Sequence, residues 1–433
     1  MPTQTLPYCA EYGRLSRRGF LGAGLASLSA LWLGPQRPGL PDWLPQIALA
    51  APHVGPRGDT LVCIFLRGGA DGLNMVVPHG DESYYAYRPN LAIPRPDAAG
   101  SFKALDLDGF FGLHPSLAPL EPIYRAGDLA FIHAAGSPDE TRSHFEAQAW
   151  MEQAGGPAYT GWLARHLASL DTGNASALRA VSVDDMLPLS LAGAPQGIPL
   201  PALNAYQLPV PPQASGALKQ MLQAIYGQPA DRLAAAGRQT LAALELMRQV
   251  TAVAPGRVVY PTHPFSQALQ VTARLIQAEV GLEVAFINLG GWDTHAAQGS
   301  AEGQMPRLMG ILAAGLAAFY ADMQPRMGQI TVVAMSEFGR RVAENNSSGT
   351  DHGHGNSLWL LGGHINGGQV YARWPGLNQE QLVGPGDLAV TTDYRDILGE
   401  VLRRRLNNPL LDQVFPDYTV TEHGLVDGDA SAA

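Results

Sequence analysis

The sequence predicts an α/β fold, in which a mostly parallel sheet is flanked by helices on both faces. Apolar runs of strand length alternate along the chain with longer amphipathic segments of helical period. Three of the runs, 60–66, 283–289 and 330–334, are almost entirely apolar, as expected of strands that are buried on both faces. Because strand and helix patterns alternate instead of forming separate blocks, most connections are crossovers between parallel strands.

The other elements follow from the same periodicities. In chain order they are a helix at 116–125, a strand at 129–133, a helix ending near 153, a helix at 161–170, a strand at 178–183, helices between 218 and 253, at 265–279 and at 304–323, a strand at 358–361 and a helix at 393–406. Two stretches rich in proline and other loop-forming residues, 78–115 and 184–215, predict long loop insertions that would determine substrate choice.

Residues 1–50 predict an export signal. Arg17 and Arg18 precede a short apolar segment, 20–33, and a small-x-small sequence ends at Ala50. The apolar segment is too short to span a bilayer, and the paired arginines followed by Phe-Leu favour the twin-arginine export machinery as a partner. The alternative is an amphipathic N-terminal helix. With cleavage after Ala50, we expect a single α/β domain at 51–433, located in the periplasm or secreted.

Charge and cysteine content exclude several classes of function. The chain has a net charge of −10, and removal of the four arginines and two acidic residues of the signal changes it to −12. This charge argues against nucleic acid and anionic membrane surfaces as partners, and we expect no integral membrane span after cleavage. Cys9 leaves with the signal, so Cys63 has no intramolecular partner. Without a CxxCH or a G-x-G-x-x-G sequence, a haem or dinucleotide enzyme has no support.

The stretch 331–363 carries the most concentrated chemistry. Between two apolar runs it places Glu337, Asp351, His352 and His354 in a loop rich in glycine, serine and asparagine. Loops at strand ends are where α/β proteins build their sites. One carboxylate and two imidazoles within four residues, with glycines that let the backbone turn tightly, predict metal ligands.

Two other strand ends carry similar residues. Asp293 and His295 follow the strand at 283–289, and alternation would point both side chains to one side, about 7 Å apart at their backbones. They can therefore converge on one divalent ion. Asp71 follows the first strand in a glycine-rich turn, where it is either a metal ligand or phosphate-site residue, or stabilises its own turn.

The segment 136–145 predicts a nucleophile. Thr141 or Ser143 stands at the start of a helix, where the helix dipole favours an ionised hydroxyl and a bound anion. The alternative is that the hydroxyl only caps the helix. His144 adjoins the candidate nucleophile, and Arg142 could hold a substrate anion by paired hydrogen bonds. We expect five other histidines to be structural or surface residues: His114, His133, His166, His263 and His364.

Together the strand ends supply enough ligands for two divalent ions about 4 Å apart, which is the arrangement that stabilises an in-line displacement at phosphorus. The predicted ligands are Asp71, Asp293, His295, Glu337, Asp351, His352 and His354. A mixed Asp and His set suits zinc, manganese or iron better than magnesium. The nucleophile would be a hydroxyl or a water molecule.

Five stretches, taken in order, resemble one bacterial family. FLRGGADGLN, TRSHFEAQ, GGWDTH, MSEFGR and TDHGHGN are similar to the twin-arginine-exported family called domain of unknown function 1501, which is placed near the alkaline phosphatase and sulfatase superfamily. The resemblance covers nearly all of 51–433 and implies an alkaline phosphatase/sulfatase-like fold. It also implies that Asp71 is the first metal ligand and that Ser143 or Thr141 is the nucleophile. Asp293 with His295 would serve one metal, and the cluster at 351–354 would complete the site.

Two spacings depart from that superfamily. Its Asp and His usually stand four apart, whereas Asp293 and His295 stand two apart, and Glu337 occupies the place of its usual Asp-His-Gly. Either Glu337 replaces the usual Asp, or the metal site has degenerated. We therefore expect an exported metal-dependent hydrolase of a phosphate or sulfate ester. The alternative is a non-catalytic exported binding or assembly protein on a phosphatase-like fold, which the altered spacings favour.

Overall fold

The computed structural model describes residues 59–157, 159–204, 212–227, 232–254 and 256–427. The predicted export signal at 1–50 lies outside these residues. Within them, no helix combines the length and the apolar character that a bilayer span requires.

Among the residues that the structure describes, a nine-stranded sheet forms the centre of the fold, and three further strands form a small separate sheet. In chain order the strands are β1 (Thr60–Arg67), β2 (Val76–Val77), β3 (Leu105–Asp106), β4 (Gly112–Leu113), β5 (Leu129–Gly136), β6 (Ala180–Ser182), β7 (Gly197–Pro199), β8 (Val284–Gly290), β9 (Ile330–Met335), β10 (Asn356–Gly362), β11 (Val370–Tyr371) and β12 (Thr392–Asp393). The large sheet has the order β11-β5-β10-β9-β1-β8-β6-β7, with β12 beside β5, and the small sheet has the order β2-β4-β3.

The large sheet is mostly parallel, as predicted. β1 pairs in parallel with both β8 and β9, whereas β10 is antiparallel to both β9 and β5. The connection from β9 to β10 explains the exception, because it is a loop without a crossover helix, and such a connection returns the chain in the opposite direction.

Helices cover both faces of the sheet, which confirms the predicted layering. They are α1 (Gly72–Met75), α2 (Glu82–Tyr87), α3 (Glu121–Arg125), α4 (His144–Gln153), α5 (Trp162–Ser169), α6 (Pro212–Gly227), α7 (Arg232–Ala252), α8 (Pro264–Gln277), α9 (Gln304–Met323), α10 (Tyr394–Arg404) and α11 (Leu411–Val414), with 3-10 turns at Pro115–Leu120, Leu189–Leu191, Gln324–Gln329 and Gln379–Gln381.

The alternation of side chains along β1 divides the core into two layers. Val62 and Ile64 belong to the apolar cluster that includes residues of α8 and α9, while Leu61 and Cys63 belong to the cluster that includes residues of α5 and α10. All four side chains are fully buried. A strand that is apolar on both faces is therefore the expected consequence of helices on both sides.

The direction of the strands positions the site. Because β1, β5, β8 and β9 run the same way, their carboxyl ends lie at one edge of the sheet, and the antiparallel β10 begins at that edge. The loops there are close together, since a Cβ added to Gly68 would lie 2.6 Å from the backbone nitrogen of Asp293. Gly68 also has a φ of +117°, a conformation open mainly to glycine.

Candidate metal centre

Asp293 is the centre of a cluster of three histidines: His144, the first residue of α4, and His295 and His352 from two different loops. Its Oδ1 lies 3.0 Å from Nε2 of His295, 3.1 Å from Nε2 of His352 and 3.5 Å from Nε2 of His144. His144, Asp293 and His352 each offer a ligand atom, and these atoms lie within 4.8 Å of one another. His295 adjoins them, with its Nε2 2.9 Å from Nε2 of His352. Three imidazole nitrogens thus converge on one carboxylate oxygen.

The other nitrogen of each ring is held by an acceptor. Nδ1 of His144 lies 2.8 Å from a carboxylate oxygen of Glu337, and Nδ1 of His352 lies 2.8 Å from the backbone carbonyl of Arg142. Nδ1 of His295 lies 3.2 Å from Oδ1 of Asp351. A carbonyl or an ionised carboxylate can only accept, so each Nδ1 carries a proton and, in the neutral ring, Nε2 keeps its lone pair. The partners therefore select the tautomer that binds a metal through Nε2.

Arg340 connects the loops around Asp293, and the sequence analysis did not single it out. Its side chain is fully buried, and its acceptors are four backbone carbonyls and one carboxylate. They are Gly68 O, Gly69 O, Trp292 O, Thr350 O and Asp293 Oδ1, at 2.5 to 2.9 Å. The sequence feature that could have identified Arg340 is its place at the end of MSEFGR, one of the five stretches that resemble the family.

The electrostatics of the metal-free protein follow from this geometry. Burial alone would raise the pKa of Asp293, but the neighbouring imidazoles of His144, His295 and His352 and the guanidinium of Arg340 hold it well below its usual range. Burial alone would lower the pKa of His144, but the neighbouring carboxylates of Asp293 and Glu337 raise it to about 9. The hydrogen bond to Asp293 is also the main reason that the pKa of His295 is raised. Without a metal, protons on the imidazoles balance the carboxylate charge.

The donor set fits a divalent ion. Nε2 of His144 is buried and has no hydrogen-bond partner, and its 3.5 Å separation from Asp293 Oδ1 is long for a hydrogen bond. Ligand atoms at about 2.0–2.1 Å from a tetrahedral zinc ion lie about 3.3 Å apart. The four separations given above, 2.9 to 3.5 Å, bracket that value. Imidazole and carboxylate ligands suit zinc, manganese or iron.

Four of the predicted ligands lie elsewhere or serve another role. Glu337 and Asp351 contact the far nitrogens of His144 and His295, and Nε2 of His354 contacts the carbonyl of Ser137 at 2.8 Å. Asp71 is buried in an ion pair with Arg88 at 2.6 Å and also accepts from Gln298 at 2.7 Å.

Among the described residues, one group of at least three such ligands is found, so a second ion has no comparable group. The pair of ions that the sequence analysis expected remains a prediction.

The two candidate nucleophiles in the segment 136–145 differ in the hydrogen bonds that their hydroxyls make. The hydroxyl of Thr141 donates to Glu146 at 2.6 Å. Ser143 is the N-cap residue of α4, but its side chain makes no capping hydrogen bond. Arg142 is bound by the buried carboxylate of Asp387, so it is not a free anion-binding group. Ser143, which directly precedes His144, is therefore the better candidate of the two hydroxyls.

Solved structures of low similarity align with much of the chain. One is the C-terminal periplasmic domain of EcEptC from Escherichia coli in complex with Zn, with 11% identity, a TM-score of 0.28, and coverage of 72% of this chain and 77% of that one. Another is alkaline phosphatase from the Antarctic bacterium TAB5, with 9% identity, a TM-score of 0.27, and coverage of 73% and 95%. Scores this low carry no inference about the site. No curated protein matches the sequence.

The sequence of residues 129–405, more than half of the 433-residue chain, matches one family. This range includes Asp293 and the three histidines around it. The family is described as Protein of unknown function (DUF1501), and the resemblance found in the sequence motifs is thereby confirmed. The chain belongs to the DUF1501 family.

Proposed function

We propose that the chain is an exported hydrolase of a phosphate or sulfate ester that depends on a divalent metal ion. The observation that carries the proposal is the convergence of three imidazole nitrogens on Asp293 Oδ1, each with its other nitrogen held by an acceptor. Surface residues do not usually form such an arrangement, because fixing four side chains in one geometry costs conformational entropy.

His144, Asp293 and His352 would hold the ion, and His295 would be a fourth ligand. A bound divalent ion supplies Lewis-acid polarisation of an ester oxygen. Export to the periplasm or beyond rests on the predicted twin-arginine signal at 1–50.

The chain's own residues would do the remaining work. Ser143 presents an uncapped hydroxyl at the positive end of α4, where the helix dipole favours both its ionised form and a neighbouring substrate anion. Arg340 holds the Asp293 carboxylate in place from a fully buried position. Asp387 fixes the side chain of Arg142, while the backbone carbonyl of Arg142 orients His352. The loop that carries the hydroxyl is thus connected directly to the metal-binding cluster.

A specific observation favours the alternative of a non-catalytic metal-binding protein. His295 places a fourth protein ligand in the cluster, and zinc sites with four protein ligands are usually structural, whereas catalytic sites keep one position open. The side chain of His295 is 44% exposed, compared with 18% for His352, so it is the ligand most accessible to exchange. The two functions differ in whether metal-bound protein turns over an ester.

The test is hydrolysis of aryl phosphate and aryl sulfate esters by protein equilibrated with zinc, manganese or iron. We expect release of phosphate or sulfate by the wild type and its loss in His352→Ala. His364→Ala removes a histidine that lies outside the cluster and serves as the matched control, with turnover retained. Wild-type protein that binds metal but hydrolyses neither class of ester would overturn the hydrolase proposal and favour the metal-binding alternative.

A further inference from the structure

We infer that Glu337 is a positioning residue for the metal site: it orients His144 for metal binding and is not itself a ligand. The inference rests on the proposed metal dependence and specifies which side chain maintains it. From the sequence, Glu337 was predicted to be a ligand, because a carboxylate at a strand end often binds a metal. Its contacts in the folded chain indicate the different role.

One oxygen of the Glu337 carboxylate is already saturated with donors. Its Oε1 accepts from the backbone nitrogen of Gly68 at 2.9 Å, from Nε2 of Gln148 at 2.8 Å and from Nδ1 of His144 at 2.8 Å. Its Oε2 lies 3.0 Å from the hydroxyl of Ser336, whose single proton is shared with the closer carbonyl of Leu66 at 2.6 Å. Oε1 thus has three donors for its two lone pairs, so metal coordination through this oxygen would displace an existing donor. The side chain is fully buried, and a displaced donor would lose its partner without gaining water.

The same contacts define what Glu337 does for His144. The hydrogen bond to Nδ1 fixes the ring orientation and, in the neutral ring, the tautomer, so that Nε2 faces the cluster and its lone pair can bind a metal. A carboxylate that accepts a hydrogen bond from the other nitrogen of a ligating imidazole makes that imidazole a stronger electron-pair donor to the metal. Loss of such a partner typically weakens metal binding about 10- to 100-fold. Because Glu337 is itself held by Gly68, which directly follows β1, and by Gln148 of α4, it connects the metal cluster to the core of the fold.

Asp351 provides an internal comparison. It holds His295 in the same way, but at 3.2 Å and with a side chain that is 45% exposed. An exposed carboxylate is hydrated and screened, so it polarises its imidazole less than a buried one does. We therefore expect removal of the Glu337 charge to weaken metal binding more than removal of the Asp351 charge.

The sharpest variant is Glu337→Gln, because it removes the charge and keeps the shape. The amide oxygen can still accept from Gly68, Gln148 and His144, while the amide nitrogen can donate to the Ser336 hydroxyl. Glu337→Asp is the second variant, since it keeps the buried charge but shortens the side chain, so that the carboxylate no longer reaches His144. Gln148→Met removes a neighbouring hydrogen bond to the same oxygen without contacting the cluster and is the matched control.

The experiment is a zinc titration of the full chain in competition with a chromophoric chelator, with urea unfolding of each variant as the check on folding. We expect affinity about 10- to 100-fold weaker in Glu337→Gln. It should also be weaker in Glu337→Asp, less affected in Asp351→Asn and near wild type in Gln148→Met. Wild-type affinity in either folded Glu337 variant would overturn the inference while leaving the proposed metal site intact. A wild-type protein that binds no zinc, manganese or iron would overturn both.

Discussion

Replacement of Arg340 by methionine tests the architecture around Asp293. Methionine keeps much of the length and volume of the side chain but removes its charge and all of its donors. In the folded chain the guanidinium is fully buried and donates to five acceptors, including Asp293 Oδ1 at 2.8 Å. Four backbone carbonyls and one carboxylate would therefore lose a partner inside the protein.

The expected loss of stability is large. Removing one member of a buried ion pair costs about 3–5 kcal/mol, because the remaining charge is left buried without compensation. Asp293 is 32% exposed, which reduces the ionic part, while the abandoned carbonyls add to the total at about 1–3 kcal/mol each where water cannot reach them. We expect a decrease of about 4 kcal/mol in the free energy of unfolding of the metal-free protein.

The assay is urea unfolding followed by tryptophan fluorescence, with Arg341→Met as the matched control. The neighbouring Arg341 has a side chain that is 34% exposed, and its Nε lies 3.9 Å from Asp387 Oδ1, too far for a hydrogen bond. We expect the control to lose no more than about 1 kcal/mol. Equal and small losses in the two variants would refute the role assigned to Arg340.

Three further predictions concern other parts of the fold. Burial lowers the pKa of His133 from 6.5 to about 4. Its Nε2 donates to Val76 O, and its Nδ1 accepts from the backbone amide of Ala134. As the pH falls, the imidazole is therefore protonated in the unfolded chain before it is protonated in the folded one. The contribution of His133 to the free energy of unfolding should therefore be fully present above pH 6.5 and decrease by about 3 kcal/mol between pH 6.5 and 4. His133→Gln should remove this pH dependence, as measured by urea unfolding at a series of pH values. Arg88→Met should destabilise the protein by about 3–5 kcal/mol by leaving Asp71 buried without its partner, and Arg88→Met with Asp71→Asn should be more stable than the single variant; the reverse order would contradict a buried ion pair. Ser143→Ala should lower ester turnover on the order of a hundredfold or more while zinc binding is retained, and undiminished turnover would exclude Ser143 as the nucleophile.

The fold was predictable because strand signals depend on local composition. The apolar run that became β1 is long and buried on both faces, and a crossover helix precedes both of its parallel neighbours. The antiparallel direction of β10 was harder to predict from the sequence, because it depends on how the loop after β9 folds back. That loop is held by contacts with distant segments, such as the bond from Arg340 to Gly69 O, which no local pattern reveals.

The candidate site was predictable in residue type and place but not in the partner of each atom. Asp293, His295 and His352 were identified because imidazoles and carboxylates at strand ends converge at one sheet edge. Asp71 satisfied the same rule, yet its carboxylate pairs with Arg88, seventeen residues further along the chain. Glu337 contacts Nδ1 of His144, whereas Asp293 lies near Nε2 on the opposite side of the same ring. Such distinctions depend on side-chain geometry over a few ångströms, which sequence spacing does not determine.

The metal content of the purified protein tests the central claim most directly. We predict one equivalent of zinc, manganese or iron by mass spectrometry after equilibration and removal of excess metal. This ion should be lost in Asp293→Ala and retained in Asp351→Ala, because Asp351 contacts only the far nitrogen of His295. Folded wild-type protein without metal, or an Asp293→Ala variant with unchanged metal content, would contradict the account.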